Sequence, residues 1–291
     1  MWLASPHRPG HLEEDAADIY HVMKMIWSQI KSKIKVRKFH LTGYSLGGSQ
    51  AAYVAKLDTE LKTFNFGKVL LINPSLTLYN SVSKLDRMLE NIPGGMDHFN
   101  KFFAMIVQKV TEAYKRSDSV IFNEELIYKA FQEDRPSDEQ LAAIIGAAFR
   151  LFSANMIFTS DLVTNYGFVK PKNVTLTKNT SMSAYLRVNM RVGFTDYYHE
   201  YFFPYFRAKE PSLTRSALVE RLSLRNIENF LYKAKNIGVV HNRDDIILAK
   251  GEIDFFSDIF GNRAKIYPRG GHMGNLPHHE TLAYIVNFFK R

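Results

Sequence analysis

The sequence of 291 residues contains no cysteine. This absence excludes disulfide bonds, thiolate metal sites and a cysteine nucleophile, but it leaves the cellular compartment open. The sequence also lacks an uninterrupted apolar run of about eighteen residues, the length that a membrane-spanning helix needs. Its first residues carry no signal-peptide pattern, and the composition is that of an ordinary globular protein without repeats.

Acidic side chains are also in short supply, with 29 Asp and Glu against 38 Lys and Arg and a formal net charge of +9. Such a balance indicates attraction to an anionic partner, such as a membrane surface or an acidic substrate. The cations are scattered apart from one cluster, Lys31, Lys33, Lys35, Arg37 and Lys38. No nucleic-acid-binding motif accompanies this cluster. We therefore expect no nucleic-acid partner and interpret the cluster as a solvated helix end.

What the sequence does contain is a pentapeptide of the form G-x-S-x-G at residues 43–47. The apolar run before it, with Val36, Phe39 and Leu41, predicts a buried strand. The small residues 47–52 after it predict the start of a helix. A serine held on a sharp turn between strand and helix is a nucleophile elbow. An ordinary glycine-rich turn between strand and helix is the alternative interpretation.

The glycines of this pentapeptide have a physical role in an elbow. Ser45 must adopt a strained backbone conformation, and side chains at Gly43 and Gly47 would collide with the neighbouring strand and helix. The helix that follows directs its free N–H groups at the charge that develops on a substrate oxygen. The pattern therefore predicts Ser45 as a nucleophile.

The regions on both sides of the elbow alternate between strand and helix patterns. This alternation is typical of a parallel sheet with crossover helices. We therefore predict an α/β fold with a mostly parallel sheet and flanking helices, whose core comprises residues 1–77 and 236–291. The predicted elements are a strand tail at 2–6, helices at 13–30, 47–57, 250–260 and 278–290, and strands at 66–73, 236–241 and 264–267.

Between these two core regions, residues 78–235 carry mainly helical patterns. The stretch is too long for a loop, so we predict a large helical cap inserted into the core. The segment 194–206 has more aromatic side chains than one buried helix face can hold, and we expect some of them to line a pocket or an interaction surface. The predicted cap helices are Met96–Lys115, Glu124–Gln132, Asp138–Thr159, Met182–Phe206 and Thr214–Lys233.

A base and an acid for the serine are found after later predicted strands, where parallel-sheet enzymes place their sites. His272 lies in a glycine-bracketed loop directly after a strand, which frees its imidazole to reach the serine. Asp245 follows the preceding strand, and Asp244 beside it is the competing acid. We favour Asp245 because an apolar pair follows it directly. Asp244 would then point to solvent or brace the turn.

Three segments in this order resemble the α/β-hydrolase superfamily. Residues 40–48 (H-L-T-G-Y-S-L-G-G) are similar to its nucleophile segment, residues 239–247 (V-V-H-N-R-D-D-I-I) to its acid turn, and residues 267–276 (Y-P-R-G-G-H-M-G-N-L) to its histidine loop. The resemblance covers residues 2–77 and 236–291, and the helices between them resemble the cap that many members insert.

The resemblance implies acyl transfer to water through a covalent acyl-serine, with the Leu46 backbone N–H as one oxyanion donor and with no metal or organic cofactor. A full member of the superfamily has several strands ahead of the elbow, and these have no counterpart here. We therefore expect a shortened version of a longer protein, without the loop that supplies a second oxyanion N–H. Losing one such donor costs about 100- to 1,000-fold in turnover.

These observations predict a serine hydrolase for carboxylic esters, with an apolar or lipid-like acyl group under the cap and Tyr44 in contact with the substrate. The basic charge is compatible with peripheral contact to an anionic membrane surface. A non-catalytic protein that keeps the fold and binds a partner or membrane with its helical region is the alternative. Acyl transfer to another acceptor and peptide cleavage stay open as well, because fold analogy does not separate these chemistries.

Overall fold

The computed structural model of the chain describes residues 5–116, 130–131 and 135–290. In these ranges the chain forms an α/β fold around a four-stranded sheet in the order β1-β2-β3-β4. All neighbouring strands are parallel, with Leu41 opposite Val69 and Val239 opposite Ala264. The predicted α/β class with a parallel sheet and flanking helices is confirmed. The strands are β1 (His40–Tyr44), β2 (Lys68–Ile72), β3 (Ile237–Asn242) and β4 (Ala264–Tyr267).

Helices account for most of the remaining described residues. Short 3₁₀ turns lie at Met88–Asn91, Met96–His98, Leu224–Ile227 and Gly261–Arg263, and a π-helical segment spans Tyr197–Phe202. The α-helices in the described ranges are α1 (Leu12–Ile30), α2 (Leu46–Leu61), α3 (Leu78–Arg87), α4 (Phe99–Lys115), α5 (Asp138–Thr164), α6 (Ser183–Asn189), α7 (Phe194–Asp196), α8 (Phe203–Lys209), α9 (Arg215–Arg221), α10 (Glu228–Lys233), α11 (Glu252–Phe260) and α12 (His279–Lys290).

The inner strands of the sheet are buried and β1 is not. Every residue of β3 is buried, whereas β1 alternates between exposed and half-buried residues. The prediction of a buried strand before the elbow is therefore wrong in this structure, and Val36 lies outside the strand with 36% of its surface exposed. The physical reason is position: β1 is at the edge of the sheet and has a neighbour on one side only.

The first helix shows how local chemistry sets the elements. His11 caps α1 by accepting a hydrogen bond from the Glu14 N–H, and three acidic residues in the first turn suit the positive helix end. On its buried face, the Tyr20 hydroxyl donates to Asp58 of α2 at 2.6 Å. This face therefore joins α1 to α2 on one side of the sheet, while α12 covers part of the other side.

The region between β2 and β3 is helical, as predicted, but two of its predicted helices are broken. The interval 182–206 contains four helical segments with an interruption before Phe194, and the interval 214–233 is interrupted at Ser223, whose extended backbone bridges to Thr77. Helix α3 has no counterpart in the prediction. The predicted strand tail at 2–6 and the predicted helix at 124–132 fall largely on residues outside the described ranges.

The aromatic segment of this region belongs mainly to the core. Its side chains belong to the same apolar cluster as buried residues of α1, α2 and the sheet. Some aromatic side chains of the segment line a pocket, as expected: Phe194 and Tyr197 are among the lining residues of one cavity. The side chains buried in the core are Tyr197, Tyr198, Tyr201, Phe202, Phe203 and Phe206.

Helix α5 is long and apolar enough to cross a membrane, judged by length and composition alone. Its most apolar 18-residue window has a mean hydropathy of 1.7, and 44% of that window is buried in the structure. Helix α5 packs against α3, α6 and the turn at 88–91. A core helix of a globular protein makes contacts of the same kind.

Candidate active site

Ser45 lies on a sharp turn between β1 and α2, with φ 53° and ψ −127°. A non-glycine residue in this region of backbone space is strained. The turn is held by a hydrogen bond from the Ser45 N–H to the Ile72 carbonyl at 2.9 Å. The strained serine is therefore fixed to the neighbouring strand.

The glycines around Ser45 do not all have the role that the pentapeptide predicts. A Cβ at Gly43 would lie 2.0 Å from the Gly47 carbonyl oxygen, so this position excludes any side chain. Nothing lies within 4 Å of a Cβ at Gly47, so the expectation of a collision there is wrong. The second crowded position is Gly48, whose Cβ would lie 3.2 Å from Pro74.

The three residues proposed from sequence as nucleophile, base and acid are in contact. His272 Nε2 lies 2.9 Å from Ser45 Oγ. On the other side of the ring, Nδ1 lies 3.0 and 3.1 Å from the two carboxylate oxygens of Asp245. Since 227 and 27 residues separate these pairs along the chain, the contacts are made by the tertiary fold.

Asp245 is buried, and both of its carboxylate oxygens accept hydrogen bonds. Asn73 Nδ2 donates to Oδ2 at 2.8 Å, and the Ile247 N–H donates to Oδ1 at 3.1 Å. Burial alone would raise the pKa of Asp245, but the hydrogen bonds and charge of His272, together with Asn73 and Ile247, outweigh it and lower the pKa. The side chain is therefore held as a carboxylate facing the imidazole.

Asp244 faces the histidine loop instead of the imidazole. Its exposed carboxylate accepts hydrogen bonds from the Gly271 N–H at 2.8 Å and the Gly270 N–H at 3.2 Å. Gly270 has φ +151°, and a Cβ there would lie 2.6 Å from Asn242 Nδ2. Asp244 thus braces the loop that carries His272.

Three asparagines support the site and have no place in the sequence prediction. Asn73 is buried at the end of β2 with φ 44°, in the left-handed region that asparagine tolerates better than most residues. Asn242 Nδ2 donates to the Gly271 carbonyl at 2.8 Å, and Asn242 exchanges amide hydrogen bonds with Asn275. In the sequence, the only sign of such a role is that Asn73 and Asn242 lie at the ends of strands. The residues that they contact become apparent only from the register of the strands.

A second histidine, His241, lies next to Asp245. His241 is fully buried, its Nε2 lies 3.0 Å from the Pro74 carbonyl, and its Nδ1 lies 3.0 Å from the Asn242 N–H. Burial lowers the pKa of His241, and the two hydrogen bonds require a proton on Nε2 only. His241 therefore stays neutral beside Asp245. The histidine that can form an ion pair with this carboxylate is His272.

An apolar cavity of about 270 Å³ lies at the start of α2, and Ser45, Asp245 and His272 are not among its lining residues. Leu46 lines it, and its backbone N–H lies in the first turn of α2, where no acceptor exists within the helix. Tyr44 is not among the lining residues and is 63% exposed, so the structure does not bring it to this cavity. The apolar lining residues from the helical region are Leu78, Val82, Phe149, Met156, Ile157, Phe194 and Tyr197.

Asp15 is the acidic side chain of this cavity nearest to α2. It accepts hydrogen bonds from the Gln50 amide at 3.2 Å and from the Gly10 N–H. Burial raises the pKa of Asp15 to about 7, and these two hydrogen bonds oppose the shift. The cavity therefore gains negative charge as the pH rises through neutrality.

This raised pKa predicts a pH-dependent stability. Between about pH 4 and 7 the folded chain holds a proton on Asp15 that the unfolded chain has released, so stability falls as the pH rises. Asp15→Asn should raise the melting temperature relative to the parent at pH 8, and by much less at pH 4. Glu13→Gln, an exposed carboxyl in the same helical turn, is the control. Equal pH dependence in both variants would contradict the assignment.

The arrangement can deprotonate the Ser45 hydroxyl through His272, with Asp245 stabilising the imidazolium that forms. Among the described residues, no group of three or more His, Asp or Glu side chains is placed to hold a metal ion. Comparison with known proteins finds no matching family model and no significantly similar curated protein or solved structure. The site must therefore be interpreted from its own geometry.

Proposed function

We propose that this chain is a serine hydrolase of the α/β-hydrolase type that cleaves a carboxylic ester through an acyl-serine intermediate. The observation that carries the proposal is the continuous chain of contacts from Ser45 Oγ through His272 to Asp245. The strained backbone of Ser45 and the free helix N-terminus beside it add support, because both are features of a nucleophile elbow.

In the first half of the reaction, Ser45 Oγ attacks the ester carbonyl carbon while its proton passes to His272 Nε2. The carbonyl oxygen becomes an oxyanion, and we assign the Leu46 N–H, in the first turn of α2, as a donor to it. Asp245 stabilises the imidazolium. When the tetrahedral intermediate collapses, the bond to the alcohol breaks and His272 returns its proton to the leaving alkoxide.

In the second half, a water molecule attacks the acyl-serine. His272 takes one proton from the water as the new bond to the carbonyl carbon forms, and it then donates that proton to Ser45 Oγ as the acyl group leaves. The products are a carboxylic acid and the regenerated serine. The apolar cavity beside Leu46 supports an apolar acyl group, because its lining offers aliphatic and aromatic contacts.

A fluorophosphonate probe tests the nucleophile, because it modifies activated serines covalently. We expect labelling of the parent chain and no labelling of Ser45→Ala. Ser28→Ala removes an exposed hydroxyl on α1 and should label like the parent. Labelling that survives Ser45→Ala would refute Ser45 as the nucleophile. A folded parent chain that does not label would instead support the non-catalytic binding protein.

A series of p-nitrophenyl esters then tests the acyl preference. An apolar cavity predicts that kcat/KM rises from acetate to medium-chain esters, since each added methylene buries more apolar surface. A strict preference for acetate would contradict an apolar or lipid-like substrate, even if Ser45 is the nucleophile. Turnover that depends on an added amine or alcohol acceptor would favour acyl transfer over hydrolysis.

A further inference from the structure

Because the strands are parallel, their carboxyl ends all lie along one edge of the sheet and their amino ends along the opposite edge. Ser45 and Asp245 follow the carboxyl ends of strands, so the active site lies at that edge. The chain enters every strand from the opposite, amino-terminal edge, roughly 15–20 Å away for strands of this length. The segments that lead into the four strands therefore come together on one face of the molecule, although they are distant in sequence.

The largest of these segments leads into β1. Residues 31–38 connect the end of α1 to the strand, and all eight are exposed. The segment alternates cations with aliphatic residues, and Ile34 and Val36 are 50% and 36% exposed. No acidic residue occurs from residue 19 to residue 57 of the sequence. The interpretation of this cluster as a solvated helix end did not anticipate the exposed aliphatic side chains.

The segments that lead into the other strands share this character. Residues 62–67, 234–236 and 261–263 precede β2, β3 and β4, and none of them contains an acidic residue. Glu60 and Asp258, in the last turns of α2 and α11, are the nearest carboxylates along the chain. We call this surface the basic face and define it by the cations Lys31, Lys33, Lys35, Arg37, Lys38, Lys62, Lys68, Lys233 and Lys235.

The basic face also exposes apolar side chains beyond the first segment. Ile26 in the last two turns of α1 is 53% exposed, Leu61 at the end of α2 is 51% exposed, and Tyr232 beside Lys235 is 56% exposed. Cations interleaved with aliphatic side chains and tyrosine match the interfacial zone of a bilayer. There the cations meet anionic headgroups and the apolar groups enter the acyl boundary.

We propose that the basic face docks this chain on an anionic lipid bilayer. Nucleic acid would use the cations but would leave the exposed aliphatic side chains without a partner. A second copy of the chain would bring two surfaces of the same charge together. Docking through this face turns the active-site edge away from the lipid, so substrate reaches Ser45 from the aqueous side. The proposal does not depend on the catalytic function of Ser45.

Co-sedimentation with vesicles tests the docking. The full chain should bind vesicles of phosphatidylcholine with about 30 mol% phosphatidylglycerol, bind pure phosphatidylcholine weakly, and dissociate partly at high salt. The variant Lys33→Glu/Lys35→Glu/Arg37→Glu should lower the partition coefficient by roughly 100-fold. The control Lys101→Glu/Lys178→Glu/Arg187→Glu makes the same charge change in the helical region and should retain most of the binding. Equal losses in both variants would overturn the proposal.

The exposed aliphatic side chains of the basic face allow a second test of the docking. Ile34→Ser/Val36→Ser keeps the charge and should weaken the binding that persists at high salt, whereas Phe152→Ser, which removes a 74% exposed ring from α5, should not. Loss of binding in Phe152→Ser alone would place the contact on the helical region and refute the proposal. Tighter binding to polyuridylate than to the anionic vesicles would identify a nucleic-acid surface instead. Circular dichroism checks that each variant is folded.

Discussion

Replacement of Asp245 by asparagine is expected to lower kcat for a p-nitrophenyl ester by roughly 10⁴-fold, the loss known for the same change in a serine-protease triad. The reason lies in the donors around this side chain. Asn73 and the Ile247 N–H both donate to its oxygens. An asparagine has one oxygen, which these donors would attract, so its NH₂ group would face His272. The imidazole would then accept on Nδ1 and carry its proton on Nε2, where it cannot accept the serine proton.

Asp244→Asn is the matched control for this prediction. It makes the same chemical change one residue away, and an asparagine oxygen can still accept from the Gly271 N–H. We expect a loss of less than about 10-fold, because Asp244 acts on the loop and does not contact the imidazole. Steady-state kinetics on both variants, with fluorophosphonate labelling rates as a second readout, decides between them. Similar losses in the two variants would contradict Asp245 as the acid.

The sequence predicts the three central residues of the candidate site better than it predicts the residues that hold them in place. Ser45, Asp245 and His272 each lie in a recognisable local setting at a strand end, so chain order was sufficient to propose them. Asn73 has no such setting, because its contact with Asp245 depends on β2 and β3 lying side by side in one register. The Tyr44 prediction depended on its proximity to Ser45 in sequence alone; the ring is exposed, and its contact with a substrate stays a prediction.

The fold shows a similar division between local and tertiary information. Apolar runs locate β2 and β3, since buried parallel strands are apolar throughout. The same rule mispredicts β1, because its exposure depends on the absence of a neighbour beyond it in the sheet. The helical periodicity of the sequence also gave no indication of the break before Phe194. Its cause is a contact with a residue about a hundred positions away: the Phe194 N–H donates to Asp86 at 3.1 Å.

That contact belongs to a buried ion pair that joins three parts of the helical region. Arg150 of α5 donates through Nε and one terminal nitrogen to Asp86 of α3, at 3.0 and 2.5 Å, and its other terminal nitrogen donates to the Met190 carbonyl. The side chains are 6% and 12% exposed. Gly193 packs against the pair, since a Cβ there would lie 2.9 Å from Asp86 Oδ2. The pair thus connects α3, α5 and the start of α7.

Arg150→Met is therefore expected to destabilise the chain by about 3–5 kcal/mol, because it leaves the Asp86 carboxylate buried without its partner. The melting temperature should fall by roughly 6–10 °C. Arg221→Met, which breaks a similar two-point pair with Glu210 that is 39–44% exposed, should cost less than about 1 kcal/mol. The double variant Asp86→Ala/Arg150→Met should be more stable than Arg150→Met alone, since no unpaired charge remains. A double variant less stable than Arg150→Met would mean that the cost arises from lost packing of the arginine side chain and not from the unpaired carboxylate.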